Sequence, residues 1–108
     1  MKKDRLFTFL AVLLTTGILS LKVYSEVKLP SVFGDNMVLQ QETDVAIWGW
    51  AEAGSIISVS PGWDGKKYTV KTDPSGKWEL KIATPQAGGP YELSISDGQS
   101  IILKNILI

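Results

Sequence analysis

The segment Val45-Ala46-Ile47-Trp48-Gly49-Trp50-Ala51 decides the fold of this chain. Its β-branched and aromatic residues favour a β-strand. The two-residue period of a strand places Trp48 and Trp50 on one face and Ile47 and Gly49 on the other. Because neither face is polar, the pattern predicts a central strand buried on both sides, and Gly49 would let an indole pack close to the backbone.

Composition limits the chemistry that these residues can perform. The chain has 108 residues, 44% of them hydrophobic and 20% charged, which is typical of one globular domain. It contains no cysteine and no histidine. Disulfides, thiolate nucleophiles, cysteine-bound zinc, a lipoprotein anchor and a Ser-His-Asp triad are therefore excluded within these residues. The formal net charge is zero, with the basic excess near the N-terminus, so the rest of the chain offers no basic patch for nucleic acid.

Residues 1–25 have the composition of a secretory signal peptide. Lys2, Lys3 and Arg5 precede an apolar run from Leu6 to Leu21. A membrane anchor is the alternative interpretation, but this run is shorter than the roughly 20 residues needed to span a bilayer. We expect cleavage after Ser25, export to the periplasm or the medium, no stable membrane anchor afterwards, and a mature domain of residues 26–108.

The mature part reads as a series of short strands separated by turns, at 26–29, 37–40, 45–51, 56–60, 66–72, 77–83, 91–96 and 100–108. Asp73-Pro74-Ser75-Gly76 has the residue preferences of a type I turn, which predicts a hairpin between 66–72 and 77–83, with Trp78 inward. Asp97-Gly98 predicts a second hairpin. About 7–8 short strands at this spacing indicate an all-β, antiparallel two-sheet sandwich, most similar to an immunoglobulin-like domain.

The apolar C-terminal run suggests that a further domain of the same polypeptide packs against this one. A domain of this size without disulfides or a metal is marginally stable on its own. The run Ile106-Leu107-Ile108 is apolar where the sequence stops. We expect the polypeptide to continue into a larger body, against which 106–108 and an exposed sheet edge would dock.

Several blocks resemble one known family. They are Leu29-Pro30, Phe33, Asn36–Gln40, Trp48–Ala51, Gly54, Asp73, Gly76, Trp78 and Ala87–Tyr91. Together they resemble the N-terminal β-domain of the sialate O-acetylesterase family, carbohydrate esterases of the SGNH-hydrolase type. The resemblance covers roughly residues 28–108, which is nearly all of the mature chain.

The resemblance implies that a catalytic α/β domain follows this one in the same polypeptide. In that family the nucleophilic serine lies in a Gly-Gln-Ser-Asn motif, which these residues do not contain. No catalytic residue is therefore carried over, and no cofactor or metal is implied. We expect the chain to be inactive alone, with the downstream catalytic domain as its partner.

Trp63 is the candidate carbohydrate-binding residue, because it lies in the turn-rich loop Pro61–Gly65. An indole that covers an edge of the sandwich is the competing interpretation. Trp48 and Trp50 could stack on a sugar, but their apolar strand favours a place in the core.

The remaining polar candidates are weaker. Asp35, Asn36 and Asp64 could bind calcium, although as turn residues they need no metal. No serine has a base beside it in the sequence pattern, so none of the following is predicted to be a nucleophile: Ser55, Ser58, Ser60, Ser75 and Ser94.

Two other functions stay open at this point. One is a carbohydrate-binding or cell-surface interaction module without enzymatic role, for which Trp63 is the discriminating residue. The other is a structural domain of some other secreted hydrolase.

Overall fold

A computed structural model describes residues 27–108 of the chain. The predicted signal peptide at 1–25 lies outside the described residues. Residues 27–108 form six strands: β1 (Asp44–Trp50), β2 (Ile56–Pro61), β3 (Tyr68–Lys71), β4 (Lys77–Ala83), β5 (Tyr91–Ser96) and β6 (Ser100–Ile106). No helix long enough and apolar enough to cross a bilayer occurs in this range.

The strands form two antiparallel sheets, as predicted for a β-sandwich. One sheet has two strands in the order β1-β4, and the other has four in the order β3-β2-β5-β6. Between them lies an aliphatic core with one indole, made of buried side chains from both sheets and from the N-terminal segment: Val27, Leu39, Ile47, Ile57, Val59, Trp78, Ile82, Leu93, Ile95, Leu103 and Ile106. The all-β, two-layer fold class is confirmed.

The two N-terminal stretches predicted as strands form single bridges instead. Lys28 pairs with Trp50, and Val38 pairs in parallel with Leu107. Pro30 has no amide hydrogen to donate, so the first pairing cannot extend. Asn36 has a φ of 67° and Glu42 has a φ of 50°, so the backbone bends on both sides of the second.

The predicted hairpin between 66–72 and 77–83 is wrong, although its turn is present. The Gly76 amide donates to the Asp73 carbonyl oxygen at 3.0 Å, as in a closed turn. Beyond that turn, however, β3 pairs with β2 and β4 pairs with β1. The chain therefore crosses from one sheet to the facing sheet.

Thr72 lies where the two strands diverge, and its contacts explain the crossing. It is 2% exposed. Its amide donates to the Ser55 carbonyl oxygen at 2.8 Å, and its carbonyl oxygen accepts from the Gly54 amide at 3.0 Å. The loop between β1 and β2 thus occupies the backbone groups that a continuing hairpin would use. The second predicted hairpin, between β5 and β6, is confirmed by the pairing of Ser96 with Ser100.

The tryptophans of β1 are not in the core, which corrects the sequence-based prediction. Trp50 is 44% exposed and Trp48 is half-buried. The reason is that β1 belongs to the two-stranded sheet, so only its Ile47 face meets the other layer. Trp78 is the buried indole, at 1% exposure.

Gly49 accommodates this indole, as predicted for one of the tryptophans. A Cβ at residue 49 would lie 2.9 Å from Cζ2 of Trp78 and 2.5 Å from the Lys28 carbonyl oxygen. These separations are shorter than any normal carbon contact. Only glycine therefore lets β1 lie against both groups.

The C-terminal segment is part of this sandwich. Ile106 is fully buried, whereas Leu107 is 46% exposed. The Leu107 amide donates to the Met37 carbonyl oxygen at 3.2 Å, and the Ile108 amide donates to the Gly88 carbonyl oxygen at 3.0 Å. The expectation that 106–108 docks on another body is therefore wrong for Ile106, whose side chain is buried in the domain's own core, and it stays a prediction for Leu107 and Ile108.

Candidate functional site

Trp63 lies in the turn that joins β2 to β3 and is half-buried there. Its indole Nε1 donates to the Ala83 carbonyl oxygen at 2.9 Å. Its ring meets Tyr91 edge to face, with centroids 5.5 Å apart. The N–H group is thus used within the fold, and the contacts of the ring hold the turn against the end of β4. Trp63 stays a candidate for sugar contact through the part of the ring that solvent still reaches.

The carboxylates considered as calcium ligands are engaged in turns. Asp64 accepts a hydrogen bond from the Lys66 amide at 2.9 Å and one from the Tyr68 hydroxyl at 3.0 Å. Asp35 accepts from the Lys104 amide at 2.8 Å. Within residues 27–108, no three acidic side chains converge where they could hold a metal ion. Both aspartates therefore act as turn and bridge residues in this structure.

Asp73 caps the turn before β4. Its carboxylate accepts hydrogen bonds from the Ser75 hydroxyl at 2.6 Å and from the Lys77 amide at 3.0 Å. These bonds favour the charged form and lower the pKa of Asp73, with the Ser75 hydroxyl as the largest cause. The shift follows from turn geometry and needs no catalytic role.

Among the serines considered as nucleophiles, Ser75 donates to the Asp73 carboxylate, whose lowered pKa makes it a poor base. The other four have no base beside them in the described part of the chain. The Ser55 hydroxyl donates to the Glu52 carbonyl oxygen at 2.6 Å and lies 3.1 Å from the Thr72 hydroxyl. Ser58 pairs across the sheet with Ser96, and Ser60 pairs with Ser94. A hydroxyl among hydroxyls is not deprotonated at neutral pH, so this arrangement does not support acyl transfer.

The outer side of the two-stranded sheet carries the second aromatic group. In an antiparallel pair, directly opposed residues point to the same side. Trp50 is opposite Lys77 on β4 and opposite Lys28 at the isolated bridge, and Trp48 is opposite Glu79. Lys81 follows Glu79 on the same side. We define the tryptophan face as Lys28, Trp48, Trp50, Lys77, Glu79 and Lys81.

Phe33 supports this surface from one side. Its ring meets Trp48 edge to face, with centroids 4.7 Å apart and planes at 75°. Phe33 also packs against the core, so it joins Trp48 to the body of the domain. The indole of Trp48 is therefore held in place by Phe33. Trp50, at the end of the strand, is more exposed to solvent.

Sequence reasoning considered Trp48 and Trp50 as sugar-stacking residues but placed them in the core, because the Val45–Ala51 stretch is apolar on both sides. The signal that identifies this surface lies in the partner strand. Lys77, Glu79 and Lys81 alternate with Trp78, Leu80 and Ile82, so β4 has a charged side. Any strand that pairs with β4 must place one of its own sides beside those charges, and on β1 that side holds Trp48 and Trp50.

The exposed side chains of this domain are of the kinds that bind a ligand, and they do not form a catalytic arrangement. Aromatic rings, ammonium groups and one carboxylate can hold a ligand. Ser75 and Asp73 do meet, but the lowered pKa of Asp73 makes this carboxylate a poor general base, and the chain has no histidine. The structure thus defines a two-layer β-domain with aromatic contact surfaces.

Comparison with known proteins relates this domain to a carbohydrate esterase. A carbohydrate acetylesterase from Xanthomonas citri, known from its crystal structure, is similar in structure with a TM-score of 0.70 and 36% sequence identity. The similarity covers 76% of this chain and 19% of that chain, so the present chain spans about a fifth of that enzyme. A scan against protein families and a search of curated proteins return no match. The chain is therefore related to a carbohydrate esterase through its β-sandwich.

Proposed function

We propose that this chain is the non-catalytic N-terminal β-sandwich of an exported carbohydrate esterase of the sialate O-acetylesterase type. The observation that carries the proposal is the similarity to a carbohydrate acetylesterase at 36% identity over 76% of this chain. The enzyme as a whole would hydrolyse O-acetyl esters on sialic acid or a related sugar. Its nucleophile, base and oxyanion-hole donors would belong to a separate downstream domain.

The side chains of the sandwich support a non-catalytic role for this domain. The carboxylates of Asp35, Asp64 and Asp73 are engaged in turns and bridges of the fold. An ester carbonyl needs a nucleophile with a general base within hydrogen-bond distance. In this proposal the sandwich stabilises and positions the catalytic body and performs no step of the reaction.

The contact with the catalytic body that we propose involves a small exposed apolar pair. Val38 is 71% exposed and Leu107 is 46% exposed, and the two residues are bridge partners. Leu107 directly follows the last residue of β6, so the contact would form at the end of that strand. The partner of this contact is the downstream domain of the same polypeptide.

The proposal is tested first with an aryl acetate. The full chain should release aryl alcohol no faster than a buffer blank, and turnover above that blank would contradict a non-catalytic role. Determining the coding sequence beyond Ile108 gives the second test. A Gly-Gln-Ser-Asn motif within the next tens of codons supports the proposal, and a reading frame that stops or continues without one overturns it.

A further inference from the structure

The tryptophan face has an exposed aromatic ring that the fold does not require. Trp50 is 44% exposed, although the domain is small and would gain from burying so large a side chain. Its neighbour Trp48 is fixed by Phe33 at a centroid distance of 4.7 Å. Residues two apart on a strand are separated by about 6.6 Å along its axis. The two indoles thus form a short, partly rigid aromatic strip.

The charge around this strip is opposite to that of the domain. Lys28, Lys77 and Lys81 surround the two indoles against the carboxylate of Glu79, and Asp44 adds a second carboxylate on the same side at the far end of β1. All five charged side chains are exposed. Residues 27–108 as a whole have more acidic than basic side chains. The cationic charge is therefore concentrated where the aromatic surface lies.

The size of the face argues for a small or narrow ligand. Two strands of seven residues cover a surface roughly 10 Å wide and 23 Å long. That area is a fraction of the ~800 Å² that each partner buries in a standard protein–protein interface. A single chain of sugar rings fits such a strip, whereas a folded protein would need contacts well beyond it.

We propose that the tryptophan face binds a carboxylated sugar chain, with one pyranose ring stacked on Trp50. The C–H side of a pyranose is apolar and packs on an indole face, which removes both from water. The ammonium groups of Lys77 and Lys28, on either side of Trp50, attract the carboxylate of the same or the next sugar. Lys81 extends the cationic strip along β4. This site adds a ligand contact to the sandwich and does not depend on the proposed esterase role.

The test is calorimetric titration of the full chain with hexagalacturonate, a carboxylated probe, and with maltohexaose, a neutral probe of equal length. We expect hexagalacturonate to bind at least tenfold more tightly than maltohexaose. Raising the salt concentration should weaken the binding of hexagalacturonate and leave that of maltohexaose nearly unchanged. Equal affinity for the two probes, or no binding of hexagalacturonate, would overturn the proposal.

Matched variants locate the site on the molecule. Trp50→Ala should weaken the binding of hexagalacturonate at least tenfold, and Trp50→Phe should restore part of the loss because it keeps an aromatic face. Lys77→Gln combined with Lys81→Gln should weaken binding several-fold and flatten the salt dependence.

The controls lie on the outer side of the other sheet, where Ile102→Ala and Lys71→Gln remove an exposed apolar group and a cation. Both should leave the affinity unchanged. All these positions are exposed, so each variant should unfold at the midpoint of the parent. If a control variant weakens binding as much as its counterpart on the tryptophan face, the site is elsewhere and the proposal fails.

Discussion

Trp78 lies against the backbone of Gly49, its partner in the register of β1 and β4. The ring is buried, and its Nε1 has no hydrogen-bond partner among residues 27–108. An indole that loses the hydrogen bond its N–H makes with water must gain compensating contacts. The close approach that glycine permits supplies them, so this pair joins the two strands of the small sheet and fixes the position of the one indole in the core.

Gly49→Ala should destabilise the domain. The added Cβ would meet the Lys28 carbonyl oxygen at 2.5 Å and the Trp78 ring at 2.9 Å, and the backbone oxygen cannot move without breaking the bridge to Trp50. Overpacking of this kind costs about 1–3 kcal/mol. The loss should appear as a lower midpoint in urea unfolding followed by tryptophan fluorescence.

Gly34→Ala is the matched control for that substitution. A Cβ at residue 34 would meet nothing within 4 Å. The free energy of unfolding of this variant should stay within about 0.5 kcal/mol of the parent's, as is usual for surface changes. Equal effects of the two substitutions would show that the contact with Trp78 does not limit stability.

Trp63→Phe separates the structural role of this indole from its candidate role in sugar binding. The substitution keeps an aromatic ring near Tyr91 and removes the hydrogen bond to the Ala83 carbonyl oxygen. Because that bond is exposed, we expect a loss of about 0.5 kcal/mol, the lower end for a hydrogen bond. Urea unfolding measures this loss.

Sugar retention by Trp63→Ala completes the comparison. If the loop is the contact site, retention of a glycan on a column should fall when residue 63 loses its ring. If Trp50 is the contact instead, only Trp50→Ala should reduce retention. Unchanged retention in Trp63→Ala would remove the support for Trp63 as a carbohydrate-binding residue.

Asp73→Asn should make stability less dependent on pH. The folded state lowers the pKa of Asp73, chiefly through the Ser75 hydroxyl and then through the Lys77 amide. A carboxylate with a depressed pKa stabilises the fold above its unfolded pKa, and this contribution is lost as the pH falls through the folded value. The parent should therefore lose more thermal stability than Asp73→Asn between about pH 7 and about pH 3.

Asp97→Asn serves as the control for pH dependence, since Asp97 also accepts a backbone hydrogen bond in a turn, from the Gln99 amide at 3.1 Å. It lacks the additional hydroxyl donor that Asp73 has in Ser75. A change in pH dependence as large as that of Asp73→Asn would mean that the turn before β4 has no special part in acid stability.

The alternation of apolar and polar residues predicted the strands β3, β4 and β5, but it could not predict which strands pair. Tyr68 and Val70 on β3 face the core, and so do Trp78 and Ile82 on β4. The same pattern arises whether two strands lie side by side in one sheet or opposite each other in two. Whether β3 and β4 pair in one sheet or lie in two facing sheets depends on Thr72, whose backbone groups bond to the loop between β1 and β2.

The prediction that Trp48 and Trp50 are buried was wrong for a related reason. Hydrophobicity on both sides of Val45–Ala51 is typical of a central strand in a wide sheet. A strand in a two-stranded sheet can have the same composition if its outer side binds something. The candidate site therefore lies at the place where the burial prediction was wrong, and only the pairing of Trp50 with Lys77 and Lys28 reveals it.

Ile106→Ala and Leu107→Ala should differ in their effect on the stability of the sandwich. Ile106 is fully buried, so its truncation should cost about 2–5 kcal/mol, as for other core residues. Leu107 is 46% exposed, and its truncation should change the free energy of unfolding, measured in urea, by less than about 1 kcal/mol. Because Leu107 retains its backbone bonds to Met37 and Leu39, the small effect would not reflect local unfolding. A large loss in Leu107→Ala would mean that its side chain is a core group of this domain, and Val38 and Leu107 would then not be free to dock a catalytic body.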